Sequence, residues 1–339
     1  MIQKSLETWG VYYIDNYINN KQFYFPAFSP EKITKIALWL SFLVGFLATL
    51  ITVSFDLILI ADQPLLSVSP SVLALIAVVN VLVIVLEFWL LFHIGFIVTA
   101  RYIHEAEQQQ SLGLDIRRTL VRAVLELDEP APERSFGLNP YRKRSRHYWL
   151  LVALYKVKVL FSNILAKVLL RKIVGRTSAR TYVPFISTLI TGFWDAWVQA
   201  SVLKEVRLRI SAKLYILDVI SALKQSDPSQ DYVTSLARTV AVRIELFGNY
   251  NANLDYLLNQ IESLYSGSVS NQDKLFETSL FLEGYTKLSA IEQKNISQIA
   301  CRLMALKRGL LSKEEKEVLK KLNIDDSKFT IQRHAMMSY

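Results

Sequence analysis

The chain has 339 residues, a net charge of +9 and a hydrophobic fraction of 52%, and its mean hydropathy is +0.25. A single cysteine, Cys301, excludes an intrachain disulfide and a multi-cysteine metal site. Four histidines disfavour a histidine-rich metal centre, and 11 glycines and 9 prolines disfavour long low-complexity segments.

Two long apolar runs follow a polar N-terminal segment, residues 1–35. Ile36 to Ile60 and Val72 to Ala100 contain one carboxylate each, Asp56 and Glu87. About 20 apolar residues in a helix cross a hydrocarbon core of roughly 30 Å. Both runs therefore predict membrane-spanning helices, and residues 36–100 predict a transmembrane helical hairpin.

Lysine and arginine predict how this hairpin is oriented. Residues 61–71 between the runs contain neither, whereas both flanks contain several: Lys4, Lys21, Lys32, Lys35, Arg101, Arg117, Arg118 and Arg122. Loops rich in these residues stay in the cytoplasm. We therefore expect a protein of the bacterial inner membrane with both termini in the cytoplasm.

The polar residues of the hairpin are Asp56, Asn80, Glu87 and His93. A buried acid in a spanning helix is costly unless it is protonated, paired or facing a polar interior. One interpretation places Asn80, Glu87 and His93 on a proton or cation path, with Asp56 near Asn80. The other has a protonated Glu87 that hydrogen-bonds a neighbouring helix and fixes register or oligomer contacts. His93 is about 600° around the helix from Glu87, which disfavours a joint site.

Residues 101–203 form a predicted basic cytoplasmic or interfacial helical region. Between Arg134 and Trp194 there is no acid, and 12 cations lie between Arg134 and Arg180. We call Arg134–Arg180 the basic band. We expect it to contact anionic lipid headgroups or an acidic partner, and not nucleic acid, because no base-reading motif accompanies it. The predicted contact residues are Arg142, Lys143, Arg144, Arg146, Lys156, Lys158, Arg171, Lys172, Arg176 and Arg180.

Two further apolar runs, His147 to Ile173 and Tyr182 to Leu203, lie in this region. Lys156 and Lys158 lie within the first run, and a second hairpin would carry the last four cations of the band outside, against the charge rule. The stripe of apolar residues in the first run is typical of an interfacial or re-entrant helix. A spanning helix and a soluble core helix stay open as alternatives.

Residues 204–339 predict a cytoplasmic helical bundle. Helices are predicted from 231 to 247 and from 254 to 265, each followed by a glycine-containing break. Ser289 with Glu292 and Ser312 with Glu315 have the spacing of capping boxes, which indicate helix starts. Cys301 lies in an apolar stripe and is predicted to be a core residue.

The central sequence GRTSARTYVP (175–184), followed by WDAW (194–197) and VLKEVRLR (202–209), resembles the middle of an uncharacterised bacterial family of inner-membrane proteins. In that family a Trp-Asn-Ala is usual, so Asp195 is a departure. The resemblance covers about residue 100 to the end. It implies a membrane protein with a helical cytoplasmic domain, and it implies no activity.

The C-terminal part is similar to the helical domain of tellurite-resistance-type proteins, which have acidic residues in the turns between helices. The corresponding segments here, 284–287 and 307–309, contain no carboxylate. A metal site is therefore not expected from this resemblance.

We predict an all-α protein with an integral membrane hairpin, interfacial helices and a cytoplasmic bundle. The leading hypothesis for its function is a membrane-anchored scaffold or interaction protein, homo-oligomeric, with a partner at the C-terminal bundle. The alternative is a subunit of an oligomeric channel or transporter in which Glu87 and Asn80 line an ion path. No phosphate-binding loop, zinc-protease motif or serine elbow is present, so we expect neither catalysis nor a cofactor.

Overall fold

The structure is a computed structural model that describes residues 2–19, 28–60, 69–127, 136, 138, 183–247, 252–270, 274–306, 311–324, 327 and 329–331. Within these ranges the regular secondary structure is helical and contains no strand, so the all-α prediction is confirmed. The ten cationic residues predicted to contact lipid, and the run from His147 to Ile173, lie outside the described residues.

Ten α-helices are described. They are α1 (Ile2–Asn19), α2 (Pro30–Ile60), α3 (Pro70–Gln109), α4 (Leu114–Val124), α5 (Val183–Gln225), α6 (Gln230–Phe247), α7 (Ala252–Leu264), α8 (Thr278–Lys287), α9 (Ala290–Ala305) and α10 (Lys313–Lys321).

The chain divides into two compact units. Unit 1 comprises Met1–His104, Ala123–Glu126 and His147–Lys204, and unit 2 comprises Glu105–Arg122, Leu127–Arg146 and Glu205–Tyr339. The first half of α5 therefore belongs to unit 1 and its second half to unit 2.

Two helices, among the described residues, are long and apolar enough to cross a membrane. They are Pro30–Asp56 within α2 and Pro70–Gln109, which is α3. Of the most apolar 18-residue window, 39% is buried in α2 but only 6% in α3. The large apolar side chains of α3 are consequently exposed along much of its length, at Leu73, Leu75, Val78, Val81, Leu82, Val85, Leu86, Phe88 and Trp89.

Unit 2 has an ordinary hydrophobic core. Helix α6 is its centre and packs against α7, α8 and α9. Val233, Leu236, Val240 and Ile244 of α6 are buried, and Cys301 of α9 lies in the same core, as the sequence predicts.

A buried charged pair also joins three helices of unit 2. The Arg243 side chain on α6 is fully buried, and its Nε donates a hydrogen bond to the Leu303 carbonyl oxygen of α9 at 2.8 Å. Burial lowers the pKa of Arg243 to about 10, against the opposing charge of Glu315 on α10. Glu315 is itself 2% exposed. Arg243 thus keeps its charge because carboxylate and carbonyl groups replace water around it.

Local signals in the sequence locate several helix ends correctly. Both predicted capping boxes are present, at Ser289 with Glu292 and at Ser312 with Glu315. The helix predicted from 231 to 247 is α6, with the same last residue. These ends are set by hydrogen bonds between residues three apart, so they can be read from short segments.

One local prediction is wrong. Residues 284–287 are expected to be a turn between helices, but they form the last turn of α8. The run from Tyr182 to Leu203 is continuous with the residues after it in one helix of 43 residues, α5. The change from apolar to charged residues near Lys204 coincides with the boundary between unit 1 and unit 2. The helix itself continues through this boundary to Gln225.

Candidate functional site

Buried polar side chains lie on the facing surfaces of three apolar helices in unit 1. Ser41 lies on α2, Glu87 on α3, and Thr191, Asp195 and Gln199 on α5, and each is at most 9% exposed. We call these five residues the polar seam. The α5 members are four residues apart and so share one face of that helix.

The centre of the polar seam is a pair of carboxyl groups. The carboxyl group of Asp195 on α5 lies within interaction range of the carboxyl group of Glu87 on α3. Asp195 is 9% exposed and Glu87 is 6% exposed. Two acids from different helices therefore meet in a place that water scarcely reaches.

Two glycines allow α2 and α5 to approach each other closely at this level. A Cβ atom at Gly45 of α2 would lie 2.0 Å from Asp195 Oδ2 and 3.2 Å from the Thr191 carbonyl oxygen. A Cβ atom at Gly192 of α5 would lie 2.7 Å from the Phe42 carbonyl oxygen. Glycine on each side of a helix crossing is typical of tightly packed apolar helices. The same crossing presses Asp195 against the backbone of α2.

A third glycine brings α3 close to α5. A Cβ atom at Gly95 of α3 would lie 3.2 Å from Gln199 Nε2 and 2.8 Å from Val124 Cγ1. Gly95 is two turns beyond Glu87 on α3, and Gln199 is one turn beyond Asp195 on α5. The seam therefore continues along both helices from the carboxyl pair.

Several buried atoms of the seam retain unused hydrogen-bonding capacity. Asp195 Oδ2, Gln199 Nε2 and Ser41 Oγ have no hydrogen-bond partner among the residues that the structure describes. Buried polar atoms are normally satisfied in folded proteins, and exceptions concentrate where a function requires them. Together with the carboxyl pair, these atoms make the seam the candidate functional site.

The other predicted polar residues of the hairpin lie apart from the carboxyl pair. Asn80 and Asp56 are half-buried, on α3 and α2. Asn80 precedes Glu87 by seven residues, about 10 Å along the helix axis. The structure thus places Glu87 in the seam, with Asn80 on the same face two turns away.

His93 belongs to an aromatic cluster formed with α1. Its ring centroid is 4.7 Å from that of Tyr13, 5.6 Å from that of Trp9 and 4.2 Å from that of Trp89. His93 Nδ1 donates a hydrogen bond to the Trp89 carbonyl oxygen at 2.8 Å. His93 therefore anchors α1 to α3 and is about 9 Å along α3 from Glu87.

Sequence reasoning missed Asp195 as a partner of Glu87. The available signal was a single acid inside the apolar run from Tyr182 to Leu203, which has the same form as the signal that singled out Glu87. What the sequence lacked was the register between α3 and α5. A single acid in each of two apolar helices predicts a pair only if both acids are known to lie at the same level along the packed helices.

Unit 2 has a separate surface groove of about 530 Å³. Its lining includes Tyr215, Tyr232, Gln298 and Arg302. The guanidinium of Arg302 lies 4.8 Å from the centroid of the Tyr215 ring, and burial raises the pKa of Tyr215. A groove with aromatic walls, one arginine and the carboxylates of Asp218 and Glu292 suits a short polar segment.

Replacing Gly192 by alanine is expected to destabilise unit 1 by about 1–3 kcal/mol, because the new Cβ meets the backbone of Phe42 and overpacks the crossing. Unfolding in detergent followed by tryptophan fluorescence measures this, since the described tryptophans, Trp9, Trp39, Trp89, Trp194 and Trp197, belong to unit 1.

Gly284→Ala on α8 is the matched control, because its Cβ would lie 3.4 Å from Ser235 Oγ. Because Gly284 belongs to unit 2, which has no tryptophan after residue 204, we expect this variant to leave the tryptophan-detected unfolding of unit 1 unchanged. Equal stability of Gly192→Ala and the wild type would show that α2 and α5 do not cross as described.

Comparison with family models, with curated proteins and with solved structures gave no match for this chain. Its function therefore has to be inferred from its own residues and their geometry.

Proposed function

We propose that the chain is a membrane-anchored helical scaffold or interaction protein of the bacterial inner membrane. In this proposal α2 and α3 cross the bilayer as a hairpin, both termini are cytoplasmic, and unit 2 is a cytoplasmic bundle that binds a partner. The basic band would hold the anionic inner leaflet, and the chain would form a homo-oligomer.

The observation that carries the proposal is the exposure of α3. Only 6% of its most apolar window is buried, although a soluble protein seldom exposes contiguous apolar patches larger than a few hundred square ångströms. A helix that presents leucine, valine and tryptophan on most of its surface is stable when hydrocarbon surrounds it. Unit 2 differs, because its apolar residues are buried in a core of its own.

The aromatic residues of α1 support an interfacial position for the N-terminal segment. Trp9 and Tyr13 pack against His93, while Tyr12 is 62% exposed. Tryptophan and tyrosine are enriched where the hydrocarbon core meets the headgroups. On this basis α1 lies near the cytoplasmic surface, where α3 leaves the bilayer.

The groove of unit 2 supports the interaction part of the proposal. Arg302 supplies a cation and Tyr232 an aromatic wall, and Asn295 and Gln298 supply amide groups. These groups recognise a short polar segment through hydrogen bonds and ring contacts. The groove is therefore the proposed contact surface for a protein partner.

Labelling of introduced cysteines tests the proposed topology. In a Cys301→Ala background, Ser69→Cys should react with an impermeant maleimide in intact cells, because Ser69 precedes α3 on the outer side. Lys294→Cys on α9 should react only after the membrane is opened. Both positions are exposed in the folded chain. Reaction of both, or of neither, in intact cells would contradict the proposed hairpin.

Photo-crosslinking tests the partner surface. A photo-reactive amino acid in place of Gln298 should give a discrete crosslinked product in cells, because this residue lines the groove. The same amino acid in place of Lys320, exposed on α10, is the control. Identical patterns from the two positions would rule out the groove as the binding surface.

A second candidate function is a channel or transporter subunit, and the Glu87–Asp195 contact favours it. Ionisable residues buried in membrane helices commonly mark ion or proton pathways. Two spanning helices per chain are too few to enclose a pore, so this candidate requires a ring of several copies.

Flux through reconstituted vesicles tests the second candidate. Glu87→Gln is expected to abolish proton or cation flux, whereas the matched control Glu283→Gln, on an exposed face of α8, should leave it unchanged. Unchanged flux in Glu87→Gln would remove this role from Glu87. Light scattering with the detergent mass subtracted supplies the copy number, and a monomer or simple dimer would contradict the ring.

A further inference from the structure

We propose that the first half of α5, residues 183–204, is embedded in the bilayer beside α2 and contacts lipid hydrocarbon through Leu189, Ile190, Phe193 and Trp197. The membrane part of the chain would then include a third helix in addition to the hairpin of α2 and α3. The inference rests on the proposed function for one point, the location of α2 in the bilayer.

The first half of α5 is polar on its buried face and apolar on its exposed face. Five polar side chains are at most 9% exposed, at Ser187, Thr188, Thr191, Asp195 and Gln199. Four large apolar side chains are 47–67% exposed, at Leu189, Ile190, Phe193 and Trp197. At 3.6 residues per turn, the polar set covers an arc of about 120° and the apolar set an arc of about 100° on the opposite side. A helix at the surface of a soluble protein has the reverse arrangement.

The second half of the same helix has the arrangement of a soluble protein. Its buried residues include several large apolar ones, at Val206, Ile210, Ile216, Val219, Ile220 and Leu223. Its exposed positions are mostly polar, at Asp218, Ala222, Lys224 and Gln225. One continuous helix therefore reverses its polarity near Lys204. Since the exposed face of a helix matches the medium around it, this reversal indicates hydrocarbon around the first half and water around the second.

Close backbone contacts hold the first half of α5 against the middle of α2. A Cβ atom at Gly192 would lie 2.7 Å from the Phe42 carbonyl oxygen, and a Cβ atom at Gly45 would lie 3.2 Å from the Thr191 carbonyl oxygen. Phe42 and Gly45 lie in the middle third of the candidate span Pro30–Asp56. A helix packed at backbone distance on the middle of a segment that crosses a hydrocarbon core of about 30 Å lies within that core.

The exposed apolar face of α5 continues onto an exposed apolar face of α2. The centroid of the Phe42 ring lies 5.0 Å from that of Phe193 and 5.8 Å from that of Trp39. Trp39 is 68% exposed, and Leu43 and Leu47 on α2 are also exposed. In the proposed function α2 crosses the bilayer, so the hydrocarbon that covers Trp39 would also cover Phe193.

The composition of the two faces favours lipid over a second protein chain as the occupant. Contact surfaces between membrane helices are rich in small and polar residues, and the buried face of α5 has both, in Gly192 and in Thr191. Thr191 Oγ1 donates a hydrogen bond to the Ser187 carbonyl oxygen at 2.9 Å, so this hydroxyl is satisfied within its own helix. The exposed face consists of leucine, isoleucine, phenylalanine and tryptophan, which are suited to lipid chains.

Spin labels on introduced cysteines test the inference in the full chain, in a Cys301→Ala background and in vesicles of phosphatidylcholine and phosphatidylglycerol. A nitroxide attached at Phe193→Cys can be relaxed by molecular oxygen, which concentrates in hydrocarbon, or by a nickel chelate, which stays in water. We expect strong relaxation by oxygen and loss of relaxation by the chelate. Ile190→Cys lies on the same face, should give the same result, and keeps the ring contact between Phe42 and Phe193.

Two further positions calibrate the measurement. Lys224→Cys, exposed on the second half of α5, is the matched control in the same helix and should be relaxed by the chelate. Val81→Cys, 58% exposed on α3, is the reference for hydrocarbon around the proposed hairpin. Unchanged tryptophan fluorescence establishes that each labelled variant is folded. Where the two labels on the first half of α5 differ, Ile190→Cys decides, because it leaves the crossing with α2 intact.

Relaxation at Ile190→Cys by the chelate, as fast as at Lys224→Cys, would overturn the inference in favour of water on this face. Relaxation by neither reagent would overturn it in favour of a protein surface, such as a second copy of the chain. Oxygen relaxation at Val81→Cys alone would leave the proposed hairpin standing without α5. Chelate relaxation at both Ile190→Cys and Val81→Cys would overturn the proposed membrane location as well, so the two failures are distinguishable.

Discussion

The arrangement of unit 1 depends on satisfying polar groups where there is little water. Within their long apolar stretches, α3 contains one acid, Glu87, and α5 contains one acid, Asp195. The carboxyl groups of these two residues lie close together. An unpaired buried acid costs several kcal/mol, so contact between these two helices is strongly favoured once both are buried. The polar pair thereby selects one register among the many that apolar surfaces alone would tolerate.

The glycine positions follow from the same constraint. Apolar side chains in hydrocarbon gain little from packing against one another compared with lipid, so close backbone approach supplies the attraction. Gly45 and Gly192 provide that approach between α2 and α5 at the level of Asp195. The ring contact between Phe42 and Phe193, with centroids 5.0 Å apart, lies at the same crossing. The glycines that allow close approach and the two carboxyl groups therefore lie at the same level along α2, α3 and α5.

The sequence predicts those features of the fold that depend on residues close together in the chain. Apolar run length predicts α2 and α3, and the three-residue spacing of Ser289 with Glu292 and of Ser312 with Glu315 predicts the starts of α9 and α10. The continuity of α5 through Lys204 is not predicted, because composition changes there while helical propensity does not. Glu87 and Asp195 are more than a hundred residues apart in the sequence. Their contact depends on the register between α3 and α5, which spacing within a single chain does not predict.

The two units contain buried charged pairs of opposite chemical character. In unit 2, Arg243 faces Glu315, and an arginine remains protonated with its pKa lowered to about 10, so this pair keeps one arrangement across the physiological pH range. In unit 1, an acid faces an acid, and such a pair changes its charge whenever its proton leaves. The members of the unit 2 pair neutralise each other, whereas two ionised carboxyl groups in unit 1 would repel each other. The same burial therefore stabilises the first pair through its opposite charges and makes full ionisation of the second pair costly.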